Sequence, residues 1–194
     1  MKGIIDLDNV VSDWAGWVFS QQTEIPKANG LRSGRLKDMW PTITDDDVIR
    51  IVSDVRGYGD PNPIPGAHDG LWTLADAPDV ELFYLSAAPT DALDARIRWL
   101  KRYGFPYAKE DSILGLLHLD NSENKISWIM EHGKEYGFII DDMLSHLDAA
   151  LLAGIPLRMV FAQSWNEEDE NHTRVYSWAE AVTRVRSMLA TPVA

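Results

Sequence analysis

The 194-residue chain contains no cysteine. That excludes disulfides, thiolate metal centres and a cysteine nucleophile, while leaving the redox compartment open. It also lacks any apolar run long enough to span a bilayer. The first residues, MKGIIDLDNVV, break a short apolar stretch with acids, unlike a signal peptide. A cytoplasmic location is therefore expected. Cations are scarce: 18 Lys and Arg face 30 Asp and Glu, for a formal net charge of -12. They form no basic stripe, so polymeric nucleic acid and anionic membrane, which both reward positive charge, are poor partners. A small anionic ester stays admissible where a cation bridges it to the protein. A homodimer is the assembly left open. Internal repeats and low-complexity segments are also missing.

What is present is an ordinary globular composition, 45% apolar and 25% charged. A chain of this length can bury one full core and carry a small accessory piece. KGIIDL reads as a short buried strand. VVSDWAGWVFSQQ follows with Val11, Trp14 and Val18 at helical spacing. From residue 23 to about 63 the chain turns polar and punctuated, with one helix in TDDDVIRIVSDV that Thr44 would cap. After Pro65, helical and strand patterns alternate. PGAHDGLWTLAD, TDALDARIRWLKRYG, SENKISWIMEHG, MLSHLDAALLAG and VYSWAEAVTRVRSML read as helices. VELFYLS, SILGLL, YGFIID and PLRMVFA read as strands. This alternation predicts an α/β fold with a doubly wound parallel sheet. Residues 1–12 and 64–194 form its core domain, and residues 13–63 form a mainly helical cap inserted after the first strand.

Ligands of such sheets gather at the carboxyl ends of the strands. There the sequence puts Asp6 and Asp8 after strand one, Ser86 at the end of strand two, and Asp141 and Asp142 after YGFII, with Lys125 early in the helix between the last two. Turn formation accounts for one carboxylate after a strand, not for this set. These residue types suit phosphoryl transfer from a monoester, which consists mainly of bringing an anionic phosphate onto a nucleophile and neutralising the charge on its oxygens. Magnesium, with its preference for oxygen ligands, offsets the repulsion between a carboxylate nucleophile and the phosphate and suits Asp6 and Asp141. Lysine adds a point charge, and the serine hydroxyl and backbone N–H groups hold the remaining oxygens. Asp8, crowded by acids, is suited to protonate the leaving alcohol and later activate water.

DLDNV, the serine ending strand two, the helix-borne lysine and IIDD resemble the four motifs of the haloacid dehalogenase (HAD) superfamily of aspartate-nucleophile phosphatases. PIPGAHDGLWTLADAPDVELFYLSAAP, RIRWLKRYGF and YSWAEAV resemble segments of its 5'(3')-deoxyribonucleotidase family. The likeness covers the core domain and is weak over the cap. It implies that Asp6 is the nucleophile and Asp8 the general acid and base, its backbone carbonyl also touching magnesium. Asp141 is then the second metal carboxylate, with Asp142 reaching the metal through water or holding Lys125. Lys125 orients nucleophile and phosphate. Ser86, with Ala87 and Asn9 beside it, binds phosphate, and cap aromatics, Trp17 and Trp40 among them, stack on a base. The implied substrate is a nucleoside 5'- or 3'-monophosphate. Another small phosphate ester, and binding of a nucleotide without turnover, are the alternatives. Asn9 departs from the glycine usual at its position, but asparagine tolerates the same backbone angles.

The remaining polar motifs read as structural or exposed. His68-Asp69 has no second histidine at supporting spacing. His118, His132, His146 and His172 show no zinc spacing. WNEEDENH reads as a solvated loop from which Asn166 can reach a ligand.

Overall fold

The computed structural model describes residues 1–21, 36–40, 42–106, 115–118, 122–167 and 169–190. Six parallel strands form one sheet: β1 (Lys2–Ile5), β2 (Glu81–Ser86), β3 (Gly115–His118), β4 (Tyr136–Asp141), β5 (Leu157–Phe161) and β6 (Thr173–Val175). Their order is β3-β2-β1-β4-β5-β6, so the chain reverses its direction of travel at β1. The helices are α1 (Trp14–Gln21), α2 (Leu36–Met39), α3 (Asp45–Val52), α4 (Arg56–Gly59), α5 (Ala67–Ala75), α6 (Leu93–Arg102), α7 (Ser122–His132), α8 (Leu144–Leu152) and α9 (Trp178–Ala190).

Side chains alternate across a strand, so neighbouring apolar residues serve opposite faces of the sheet. Ile5 joins Leu71, Trp99, Phe138 and Trp178 in a core under α5, α6 and α9. Ile4 joins Leu85, Ile129, Ile139 and Leu147 in a second core under α7 and α8. With both faces covered, the strands read as continuous apolar runs, as parallel strands do. Gly3 is required by this packing: a Cβ there would lie 2.1 Å from Cζ of the Phe138 ring.

The segments 11–13 and 62–64 run side by side. Ser12 pairs with Pro63, the Asp13 N–H donates to the Asn62 carbonyl at 2.8 Å, and the Ile64 N–H to that of Val11 at 2.7 Å. Between these points, Trp14, Val18, Trp40, Ile51 and Tyr58 build a third apolar cluster that packs on Ala88, Ala92 and Trp165, over the carboxyl edge of the sheet. In α3, Thr44 caps the helix as expected, its hydroxyl accepting from the Asp47 N–H at 3.1 Å.

One detail differs from expectation. Residues 173–175 form a sixth strand, because the free edge of β5 offers hydrogen-bonding groups that a three-residue segment can pair; so short a segment carries no readable alternation. In SILGLL only residues from Gly115 onward lie within the described part, and there the strand is present. No helix among the described residues is long and apolar enough to cross a membrane.

Candidate active site

β1 and β4 lie side by side, and both end in acids, so their parallel register brings Asp6 next to Asp141 and Asp142. The Asp6 N–H donates to the Ile140 carbonyl at 2.9 Å. Ligand oxygens of Asp6, Asp141 and Asp142 all lie within 4.8 Å of one another, and all three residues are buried. α7 delivers Lys125 into this group. Its Nζ, fully buried, stands 2.5 Å from Asp6 Oδ1 and 2.8 Å from Asp141 Oδ2.

The two acids of β4 differ in what they hold. Asp141 is saturated: it accepts from Lys125, from the Met143 N–H at 2.9 Å, and sits 3.1 Å from His146 Nδ1 through either oxygen. Asp142 accepts from Asn9 Nδ2 and Trp165 Nε1, each at 3.2 Å, both through Oδ2. Its Oδ1, and Oδ2 of Asp6, accept no hydrogen bond among the described residues.

Charge follows the same division. Burial pushes the Asp6 carboxyl up to about 7, Lys125 opposes the rise, and the charges of Asp141 and Asp8 add to it. Asp142 is likewise raised well above the usual range by burial and then by Asp6 and Asp141. Burial would raise Asp141 too, but His146 and Lys125 together hold it below the ordinary carboxylate range. Burial alone would lower Lys125, but Asp141 and Asp6 outweigh it and keep the ammonium charged. The cluster thus has two carboxylates that lack enough positive charge, each with an oxygen to spare. A hard divalent cation with oxygen ligands meets that need, and the donor set fits magnesium.

A cleft of about 330 Å³ opens above these acids. On the side of the main domain it is lined by Asp6, Asp8, Asn9, Ala87, Asp142 and His146, and on the side of the insertion by Trp14, Val52 and Tyr58. Ser86 lies just beneath, fully buried, its hydroxyl oxygen accepting from the Ala88 N–H at 3.3 Å. Asp8 turns its carboxylate sideways to Arg96 of α6. Asn9 takes a left-handed conformation, φ 62°, and ties the loop together. Its Oδ1 accepts from the Ala15 N–H at 2.8 Å and its carbonyl from Gln163 Nε2 at 2.7 Å. Its amide oxygen and one amide hydrogen are used within the protein, so it shapes the loop that borders the cleft.

Two expectations need correction. Trp40 is only 1% exposed, its ring edge-on to Phe19 at 5.0 Å, so it fills the core of the insertion and offers no face to a ligand. Trp17 packs on the same cluster and is not among the residues lining the cleft; Trp14 and Tyr58 take that place. His146, read as structural or exposed, is structural: buried on α8, it joins Asp141 to Ser122, whose Oγ lies 2.7 Å from Nε2. Its signal in the sequence was its position, one helical turn after the acids that end β4. Asn166 is buried and donates to the carbonyls of Asp142 and Phe161, 2.9 Å each, so it braces the site from behind. His68 and Asp69 form an exposed pair at 3.0 Å, away from the cleft.

Solved structures with the same arrangement of strands and helices include a haloacid dehalogenase-like family hydrolase of Streptococcus pneumoniae, matched at a TM-score of 0.62 and 14% identity over 95% of this chain and 97% of that one. A conserved haloacid dehalogenase-like protein of Agrobacterium tumefaciens matches at 0.64 and 14% identity over 97% and 98%. The fold is that of the HAD-like hydrolases. The HAD-hydrolase YfnB of Bacillus subtilis, solved bound to magnesium, shares it at a TM-score of 0.57 and 15% identity over 95% and 98% of the two chains. In sequence, the chain is 27% identical over 157 residues to a Bacillus cereus protein described as "Putative nucleotidase", covering 81% of this chain and 74% of that protein. No protein-family model matches.

Proposed function

We propose that the protein is a magnesium-dependent phosphomonoesterase that works through an aspartyl-phosphate, with a nucleoside 5'- or 3'-monophosphate as substrate. The observation that carries this reading is Lys125, buried between Asp6 and Asp141 at the floor of a cleft, with Asp142 completing three carboxylates within 4.8 Å. The HAD-like fold supports the chemistry. The likeness to a protein described as a nucleotidase supports the substrate class; the upper wall of the cleft includes Trp14 and Tyr58, both largely buried in the third apolar cluster.

Asp6 and Asp142, each with a spare oxygen, would hold the metal together with the Asp8 carbonyl, while Asp141 holds Lys125. This exchanges the roles the sequence suggested for Asp141 and Asp142. When bound, magnesium would supply the positive charge that lets a carboxylate approach a phosphate dianion. Lys125 keeps the Asp6 carboxylate oriented and neutralises phosphate oxygen charge. Asp6 attacks phosphorus, the ester P–O bond breaks, and its electron pair leaves with the alcohol oxygen, which takes a proton from Asp8. A water molecule then attacks the phosphorus of the aspartyl-phosphate, giving up a proton to Asp8, and the Asp6–phosphorus bond breaks to release inorganic phosphate.

The test is phosphate release from deoxyribo- and ribonucleoside 5'- and 3'-monophosphates beside sugar phosphates, with magnesium and with chelator, in wild type and Asp6→Asn. Chelator-sensitive release that favours nucleotides and vanishes in Asp6→Asn is expected. Preference for sugar phosphates overturns the substrate, and saturable nucleotide binding without release overturns the reaction.

A further inference from the structure

Among the described residues Arg96 is, with Lys125, a fully buried cation, and the phosphoryl-transfer steps do not use it. It sits on α6 with no exposed surface, inside a helix whose sequence, LDARIRWLKR, gives no sign that this arginine differs from its solvated neighbours. Nη2 pairs with Asp8 Oδ1, and Nη1 donates to Ser12 Oγ at 3.2 Å. Ser12 Oγ lies 3.3 Å from the same Asp8 oxygen. The Tyr58 ring, from the insertion, lies 5.1 Å from the guanidinium carbon. The Arg96 Nε–H finds no partner among the described residues.

A guanidinium buried this way carries a desolvation cost that packing alone does not justify, since an apolar side chain of similar volume fills such a site without it. Here the cation is spent on one oxygen of one carboxylate. Ser12 has a single hydroxyl proton and its Oγ lies 3.2 Å from the Leu7 carbonyl as well, so it is Arg96 that holds Oδ1 of Asp8, while Oδ2 accepts no hydrogen bond among the described residues although Asp8 lines the cleft.

We infer that Arg96 is a positioning residue for Asp8, fixing Oδ1 so that Oδ2 faces the ester oxygen of the substrate. The inference rests on the phosphomonoesterase reading, in which the leaving oxygen takes its proton from Asp8 as the P–O bond breaks. A leaving group that is stable as an anion does not need that proton; an alkoxide does. Misplacing Asp8 should therefore slow turnover in proportion to the basicity of the leaving group. A merely structural role for Arg96 would slow all esters alike.

The experiment compares kcat for p-nitrophenyl, phenyl and ethyl phosphate in wild type, Arg96→Gln and Arg96→Lys, with magnesium, after thermal melting shows which variants fold. Arg96→Gln is expected to lose roughly 100-fold with ethyl phosphate, within the range that general acid catalysis supplies, and less than about 3-fold with p-nitrophenyl phosphate. Arg96→Lys, which retains the charge but not the fork, should fall between. If Arg96→Gln does not fold, Arg96→Lys is read by the same criterion. Equal losses across the three esters, or none, overturn the positioning role while leaving the phosphatase reading intact. A wild type that releases phosphate from none of them and from no nucleoside monophosphate overturns that reading itself.

Discussion

Replacing Lys125 with methionine removes the ammonium while keeping most of the aliphatic stem. In the folded protein this charge stands 2.5 Å from one Asp6 oxygen and 2.8 Å from one of Asp141, with Asp142 close by. At an effective dielectric near 20, each of the two contacts contributes about 6 kcal/mol of attraction before desolvation is counted. Desolvation offsets much of it, and removing one member of a buried ion pair leaves a net cost of about 3–5 kcal/mol because its partners stay buried and uncompensated. In a chain of 194 residues, each kcal/mol moves the melting temperature by about 2–4 °C, so Lys125→Met should melt roughly 6–20 °C below wild type in chelator. Circular dichroism melts and urea midpoints measure this directly. The deficit should shrink at pH 5, where carboxylates left without their cation take up protons instead. A loss below about 1 kcal/mol would refute the electrostatic account of the cluster, since it would mean the three acids need no buried cation.

Magnesium should stabilise the folded wild type, by about 2.7 kcal/mol at a hundredfold excess over its dissociation constant, and Asp142→Asn should abolish most of that shift in a thermal melt. Retention of the full shift would return the metal to Asp141. In the metal-free protein, Asp6 is raised to about 7 and Asp142 is raised in the same direction, so the folded state binds more protons than the unfolded one above the ordinary aspartate range near 3.8. Stability in chelator should then fall as pH rises from about 4 through about 7, and urea midpoints in Asp142→Asn should show a shallower decline. An equal slope in that variant would contradict the assignment. Trp40→Ala should cost about 3–5 kcal/mol by opening a cavity in the insertion, with KM little changed. A raised KM at unchanged stability would restore Trp40 to the substrate surface.

Much of this protein could be read one residue at a time. Alternating strand and helix patterns determined the parallel sheet, and DLDNV with IIDD determined which strand ends carry acids, because side-chain periodicity and acid-after-strand placement are local properties. Thr44 capped its helix for the same reason. Whatever depends on which way a side chain turns was decided only by the tertiary structure. IIDD has two acids in a row, and nothing local says that Asp141 turns to Lys125 and His146 while Asp142 keeps an oxygen free. Trp14 and Trp40 belong to the same apolar cluster, yet only Trp14 also borders the cleft, and nothing local distinguishes them. Arg96 carries no local signal, and His146 reads only as structural or exposed. Their partners, Asp8 and Asp141, lie 88 and 5 residues away, and only the packing of α6 and α8 against the sheet brings the charges within reach.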